Sequence, residues 1–257
     1  NSTGTMTGNN ISGNTGYGIS LNGGTGNQVS NNIIKTNTSG GISLSNGTGS
    51  FTGNTITANT GFGLSINGSA ANQITNNTVG TNSLGGITIS NSSGNLTGNS
   101  IIGNQGIGIS LNSADGNTLS GNTITGNNGG GIVISGSNNV LANNIVTGNT
   151  GLGLSLTAGT GSLLTTNTFK SNTIGGISIT NSTANLTGNT VTKNYGYGIS
   201  LNSANGNIIT ENTVSENSGL GISVTASTGN QLNNNTVEKD TLGGISITNS
   251  TASLSGN

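Results

Sequence analysis

The chain is 257 residues long, with 48 Gly, no Pro, Cys, His or Trp, only 4% charged residues and a net charge of −1. Near-neutrality without a single Arg leaves no electrostatic footprint for nucleic acid or an anionic membrane surface. The lack of Cys excludes disulfides and thiol chemistry and suits an exposed, oxidising location. No apolar run reaches the length of a membrane span, and residues 1–257 contain no secretion signal, so any signal would have been removed or would lie outside them.

The remainder is rich in Asn, Thr, Ser and Gly, but it lacks the charge and Pro of disordered chains, and its apolar residues are evenly spaced. A thick globular core is excluded for want of large side chains. A quasi-one-dimensional repeat needs only a thin apolar seam.

Taken from the N-terminus, the chain begins in mid-pattern at Asn1-Ser2-Thr3-Gly4-Thr5-Met6. An apolar–Ser/Thr–apolar triplet preceded by Gly then starts at Ile19, Ile42, Leu64, Ile87, Ile109, Ile132, Leu154, Ile177, Ile199, Ile222 and Ile245, with Val133 replacing the middle hydroxyl once. The spacings are 22 or 23 residues. Such a period suits one β-helical coil of three short strands and three turns, and helical repeats are longer and poorer in Gly, Thr and Asn. In the coil that starts at Leu64, Leu64-Ser65-Ile66 alternates in–out–in, a polar turn follows, and Ile74 and Val79 then supply the next two inward positions. The predicted fold class is all-β: a right-handed, single-stranded parallel β-helix of about eleven coils over residues 1–257, one array without obvious caps.

Each inward residue of the second and third predicted strands is followed three positions later by Asn. One column is Asn9, Asn32, Asn54, Asn77, Asn99, Asn122, Asn144, Asn167, Asn189, Asn212, Asn235 and Asn257. The other is Asn14, Asn37, Asn59, Asn82, Asn104, Asn127, Asn149, Asn172, Asn194 and Asn217, closing on Asp240. Asn tolerates the left-handed backbone of a corner, and its amide can bond to its copy one strand above.

A second regularity spans pairs of coils. Tyr17, Phe62, Ile107, Leu152 and Tyr197 stand two residues before the triplet, whereas Gly40, Gly85, Gly130 and Gly175 hold that place in the intervening coils; the alternation slips once, because the coils at Ile199 and Ile222 are both of the large type. Strict alternation puts both sets inward, as large and small members of one packed seam. That leaves Tyr195 as the single aromatic outside the inward pattern.

The motif Gly-Ile-Ser-Leu, then Asn-Thr-Ile/Val, then Asn resembles the parallel β-helix repeat superfamily. That superfamily includes carbohydrate-binding and sugar-hydrolase β-helix domains and the periplasmic nitrous-oxide-reductase maturation β-helix. The resemblance covers essentially the whole chain and implies the fold. The clustered acidic or basic residues of the family's enzymes have no counterpart here.

The titratable residues are Lys35, Lys170, Lys193, Lys239, Asp115, Glu211, Glu216, Glu238 and Asp240. Glu211/Glu216 and Glu238/Asp240 are the only carboxylate pairs close enough in sequence to suit glycoside hydrolysis. Lys193, Glu216 and Lys239 share one coil position, which predicts an exposed vertical charge ladder of small energetic worth. No catalytic, metal-binding or cofactor-binding residue is expected, no cofactor is implied, and the chain is read as not an enzyme.

The leading expectation is a structural extracellular or cell-surface protein: a fibre, sheath or adhesin-stalk segment. It would be cut from a longer array or stacked end to end on itself, with surface polysaccharide as a further partner and no nucleic acid or membrane span. One alternative is ice binding through the outward column Thr55, Thr78, Ser100 and Thr123, although Lys35, Gly80, Gly103, Lys170 and Glu238 interrupt its neighbour. The other is a polysaccharide-binding or -cleaving β-helix, with Tyr195 the one exposed aromatic available to it.

Overall fold

A computed structural model describes residues 3–257, so Asn1 and Ser2 of the predicted opening coil lie outside the described residues. Thirty-four short strands of three to six residues form three parallel sheets of twelve, eleven and eleven strands, and no α-helix occurs among the described residues. Successive strands visit the three sheets in turn, which is the predicted right-handed parallel β-helix. In the coil that starts at Ile87, the third-sheet strand is Gly85–Ser90, the first-sheet strand Gly94–Thr97 and the second-sheet strand Ser100–Ile102. Register follows the sequence period: Ile87, Thr88 and Ile89 pair with Leu64, Ser65 and Ile66 below and with Ile109, Ser110 and Leu111 above.

The core is a narrow apolar column. Each central coil contributes four fully buried side chains, such as Ile87 and Ile89 from the third sheet, Leu96 from the first and Ile101 from the second. Burying each is worth about 1.5–3 kcal/mol. Like residues stack on like: Ile74, Leu96, Leu119 and Leu141 form one inner row of the first sheet, and Val79, Ile101, Ile124 and Val146 one of the second.

Two local expectations are corrected. The left-handed residue at each corner is not the column Asn but the residue before it. Asn31, Asn76 and Asn143 precede the first column, and Thr36, Ala58, Thr81 and Lys193 the second, all with φ between 54° and 57°. Reversing the backbone one residue early points the following Asn side chain into the coil, where its amide can face the next one.

The second correction concerns the residues ahead of the triplet. Tyr17, Phe62, Ile107, Leu152 and Tyr197 face outward, not inward: Tyr17 is exposed, the others half-exposed. Strict alternation fails because the Gly between them and the triplet also faces the core. Gly63 and Leu64 are both buried, and a Cβ on Gly63 would collide with Val79 Cγ1 and lie 2.8 Å from Asn82 Nδ2. Two successive inward residues shift the phase by one, so the preceding position emerges on the outer surface.

Candidate functional site

The two Asn columns are continuous hydrogen-bonded ladders. Asn122 is typical: its backbone N–H and its Nδ2 both donate to Asn144 Oδ1 (3.0 and 2.9 Å), and Nδ2 donates also to the Leu96 carbonyl at 2.8 Å. Its own Oδ1 accepts from the backbone N–H and Nδ2 of Asn99, each at 2.9 Å. The same pattern links Asn9 to Asn32 at one end of the first column and Asn235 to Asn257 at the other. The second column runs from Asn14 and Asn37 to Asn217 and Asp240.

A third, interrupted column escapes the sequence reading. Asn27, Asn72, Asn117, Asn139, Asn207 and Asn230 are buried at the start of the first-sheet strands, and the backbone N–H groups of Gly4, Gly49, Gly94 and Ala184 bond to the Asn above where the column has a gap. Its signal is the 45-residue spacing of Asn27, Asn72 and Asn117, hidden by the small residues between them.

Asp240 departs from its column. Its Oδ1 accepts from the Asn217 backbone N–H at 2.8 Å and from Asn217 Nδ2 at 2.9 Å, as an Asn would. Its Oδ2 is buried without a hydrogen-bond partner, at the place where the other members carry a donating Nδ2. Burial pushes its carboxyl above the usual Asp value, against the lowering effect of the two Asn217 hydrogen bonds.

The charge ladder reduces to one rung. Lys193 Nζ lies 3.6 Å from Glu216 Oε2, but Lys239 turns to its chain neighbour Glu238 at 3.2 Å. A carboxylate on the adjacent residue is nearer than one a full coil away, and both lie in solvent. Glu211 and Glu216 sit at opposite ends of the strand Thr213–Ser215, each at a left-handed corner. No group of three or more His, Cys, Asp or Glu suited to a metal ion occurs among the described residues. On the second sheet Thr55, Thr78, Ser100 and Thr123 do stack in register, and the neighbouring column reads Thr57, Gly80, Ile102, Thr125; Ile102, not Gly103, is the residue that interrupts it beside Gly80.

The outer face of the third sheet carries the most distinctive surface. Its outward positions form three lengthwise rows. The first is the large/Gly row of Tyr17, Gly40, Phe62, Gly85 and their equivalents. The second is nearly all hydroxyl, from Ser20 and Ser43 to Ser223 and Ser246, and the third is Asn, Ser or Thr, from Asn22 and Ser45 to Thr225 and Thr248. Each ring needs the glycine of an adjoining coil. A Cβ on Gly40 would come within 2.9 Å of Tyr17 Cε1, one on Gly85 within 3.1 Å of Phe62 Cε1, and one on Gly175 within 2.9 Å of Tyr197 Cε2. Beside this row stand Leu84, Ile174 and Tyr195, 58%, 55% and 69% exposed. An apolar and aromatic ridge therefore runs along the solenoid, flanked by hydroxyl and amide groups.

The family profile described as a right handed beta helix region matches residues 1–123, 63–209 and 107–257, which together span the chain. No curated protein matches it in sequence. Among solved structures it is similar to the Dettilon tailspike protein gp208, with a TM-score of 0.74 and 15% identity over 95% of this chain and 60% of that one. It is similar also to the periplasmic alginate epimerase AlgG, with a TM-score of 0.55 and 14% identity over 87% of this chain and 75% of that one. The A-module of the Azotobacter vinelandii mannuronan C-5 epimerase AlgE4 gives a TM-score of 0.57 and 14% identity over 98% of this chain and 88% of the module. The chain thus spans about 60% of the tailspike's length. At these identities the likeness is one of fold. It nonetheless corrects the expectation of a non-enzyme. The same coil is the scaffold of two epimerases, so a regular β-helix does not exclude catalysis. No helix among the described residues is long and apolar enough to cross a membrane.

Proposed function

The chain belongs to the right-handed β-helix family, and on that footing we propose that it is an extracellular or cell-surface protein whose third-sheet outer face binds polysaccharide. The observation that carries this reading is the outward turn of Tyr17, Phe62 and Tyr197. It makes a lengthwise apolar ridge with polar rows beside it, where strict alternation would have buried those rings. Sugar sites combine an apolar or aromatic surface with convergent hydrogen-bonding groups. The Ser, Thr and Asn side chains next to the ridge supply both donors and acceptors to hydroxyl groups. Tailspike and epimerase neighbours lend support from the side of the fold.

A stalk or fibre role, with copies stacking on one another, draws its support from the regularity of the coils alone. The ridge gives polysaccharide binding the stronger case.

The test is retention on immobilised polysaccharides of wild type and of a Tyr17→Ser/Tyr195→Ser/Tyr197→Ser variant whose far-UV spectrum is unchanged. Wild type is expected to be retained, and the variant to lose about tenfold or more in affinity, equivalent to roughly 1.4 kcal/mol. Equal retention of the two would reject this face as the site.

A further inference from the structure

The polymer itself can be specified, on the premise of the polysaccharide-binding reading. We propose that the third-sheet face takes an uncharged, linear polysaccharide laid along the solenoid axis, with one sugar per coil and one apolar contact per disaccharide.

The charge distribution is the first support. From four residues before each triplet to three after its first residue, Thr15–Asn22 in the first such segment and Thr241–Thr248 in the last, none of the eleven segments contains Asp, Glu, Lys or Arg. Lys35 and Lys170 lie on the second sheet, and Lys193 and Lys239 at the corner beyond it, each just before the second column's Asn194 and Asp240. A polyuronate brings a carboxylate on every sugar. Such groups are recognised by Arg or Lys, and setting them against an apolar, cation-free surface costs their hydration without return. A neutral glycan offers hydroxyl groups and apolar ring faces, which match the rows of Ser, Thr and Asn and the ridge.

The spacing is the second support. Strands stack about 4.8 Å apart, so alternate coils repeat at roughly 9.6 Å. Those two distances are close to the lengths of one sugar and of one disaccharide in an extended chain. The hydroxyl row recurs in every coil but that of Val133, from Ser20 through Ser43 and Ser65, whereas large residues recur in every second one at Tyr17, Phe62, Ile107, Leu152 and Tyr197, with one slip where Leu220 follows Tyr197 in the next coil. A chain in which successive sugars turn over presents the same ring face at every second unit, in step with the ridge. The glycine between two large residues is buried, with the ring of Tyr17, Phe62 or Tyr197 packed against Gly40, Gly85 or Gly175, so that one ring serves two coils.

Affinity for soluble neutral polysaccharides (hydroxyethyl cellulose, a glucomannan and a xylan) should be compared by calorimetry with affinity for alginate and polygalacturonate, at about 0.02 M and about 0.5 M salt. The expected result is binding to at least one neutral polymer, unchanged between the two salt concentrations, with both polyuronates at least about tenfold weaker. Equal or tighter binding to a polyuronate, weakening with salt, would overturn the neutral assignment while leaving polysaccharide binding intact. Binding to none of the five would overturn both.

Discussion

Asn122 illustrates what a single residue does in this molecule. Its amide is saturated: two donations go to Asn144 and Leu96, and two arrive from Asn99. Asn122→Ala strips partners from the backbone N–H and Nδ2 of Asn99 and from the Leu96 carbonyl, all of them buried. Each orphaned buried group costs roughly 1–3 kcal/mol, so a loss of about 3 kcal/mol is expected in urea unfolding. A midpoint equal to wild type would show the ladder to be incidental. Asp240 is the reverse case. With its folded-state pKa raised above the unfolded value, it contributes stability that is present below the unfolded pKa and lost as pH rises through the folded one. Above that point an ionised, buried Oδ2 has no donor to face. Asp240→Asn is therefore expected to raise the melting temperature near pH 7, with the difference from wild type shrinking toward about pH 3. A difference independent of pH would refute this account. The column positions themselves are legible in the sequence, because identical residues recur at a fixed spacing. The left-handed residue before each is not, because Asn, Thr, Ala, Lys, Glu and Gly all occupy that place and leave no pattern to read.

At the scale of the coil, the three strands follow from period-two alternation, and the one failure of alternation decides which residues reach the surface. Gly63 and its equivalents face the core beside Leu64, and no property of a glycine in isolation says so. The cause is tertiary: the Val79 methyl and the Asn82 amide already fill the space a side chain would need. The consequence is that Tyr17, Phe62 and Tyr197, read from the sequence as core, are surface. Two glycines separate these effects. Gly63→Ala forces an extra carbon against Val79 and Asn82 and should cost at least about 3 kcal/mol, the upper end for overpacking. Gly116 is left-handed (φ 65°), and a Cβ added there would meet nothing within 4 Å, so Gly116→Ala should cost only the local backbone penalty of about 1–2 kcal/mol. Denaturation midpoints for the two variants in parallel decide the matter, and equal losses would show that the space before the triplet is not filled as described.

For the whole molecule, the 22- and 23-residue period made the solenoid predictable, because each coil contacts only the coils above and below it, and sequence distance maps directly onto height. What the period does not convey is which lengthwise surface carries function, since all three sheets share it. Only the two-coil alternation of its outward residues distinguishes the third sheet, since the first sheet's alternation at Asn27, Asn72 and Asn117 is buried, and its sense depends on the phase shift at the glycines. Two internal deletions turn this into a prediction. Removing residues 87–131 takes out 45 residues, two complete coils, and joins Gly86 to Ile132, so the row still reads Phe62, Gly85, Leu152. Removing residues 87–108 takes out 22 residues, one coil, and leaves Gly85 and Gly130 adjacent in the row. Both keep the Asn ladders in register, so both variants should fold, and the larger deletion should lose more stability because it removes more coil–coil interfaces. Binding should rank the other way. The larger deletion shortens an unbroken ridge and costs some multivalency, whereas the smaller one opens a gap of two glycines that a polymer in disaccharide register cannot bridge in phase. Tighter polysaccharide binding by the two-coil deletion than by the one-coil deletion, despite its lower melting temperature, is the expected outcome. The opposite order would mean that the length of the face, and not the phase of its large residues, sets affinity.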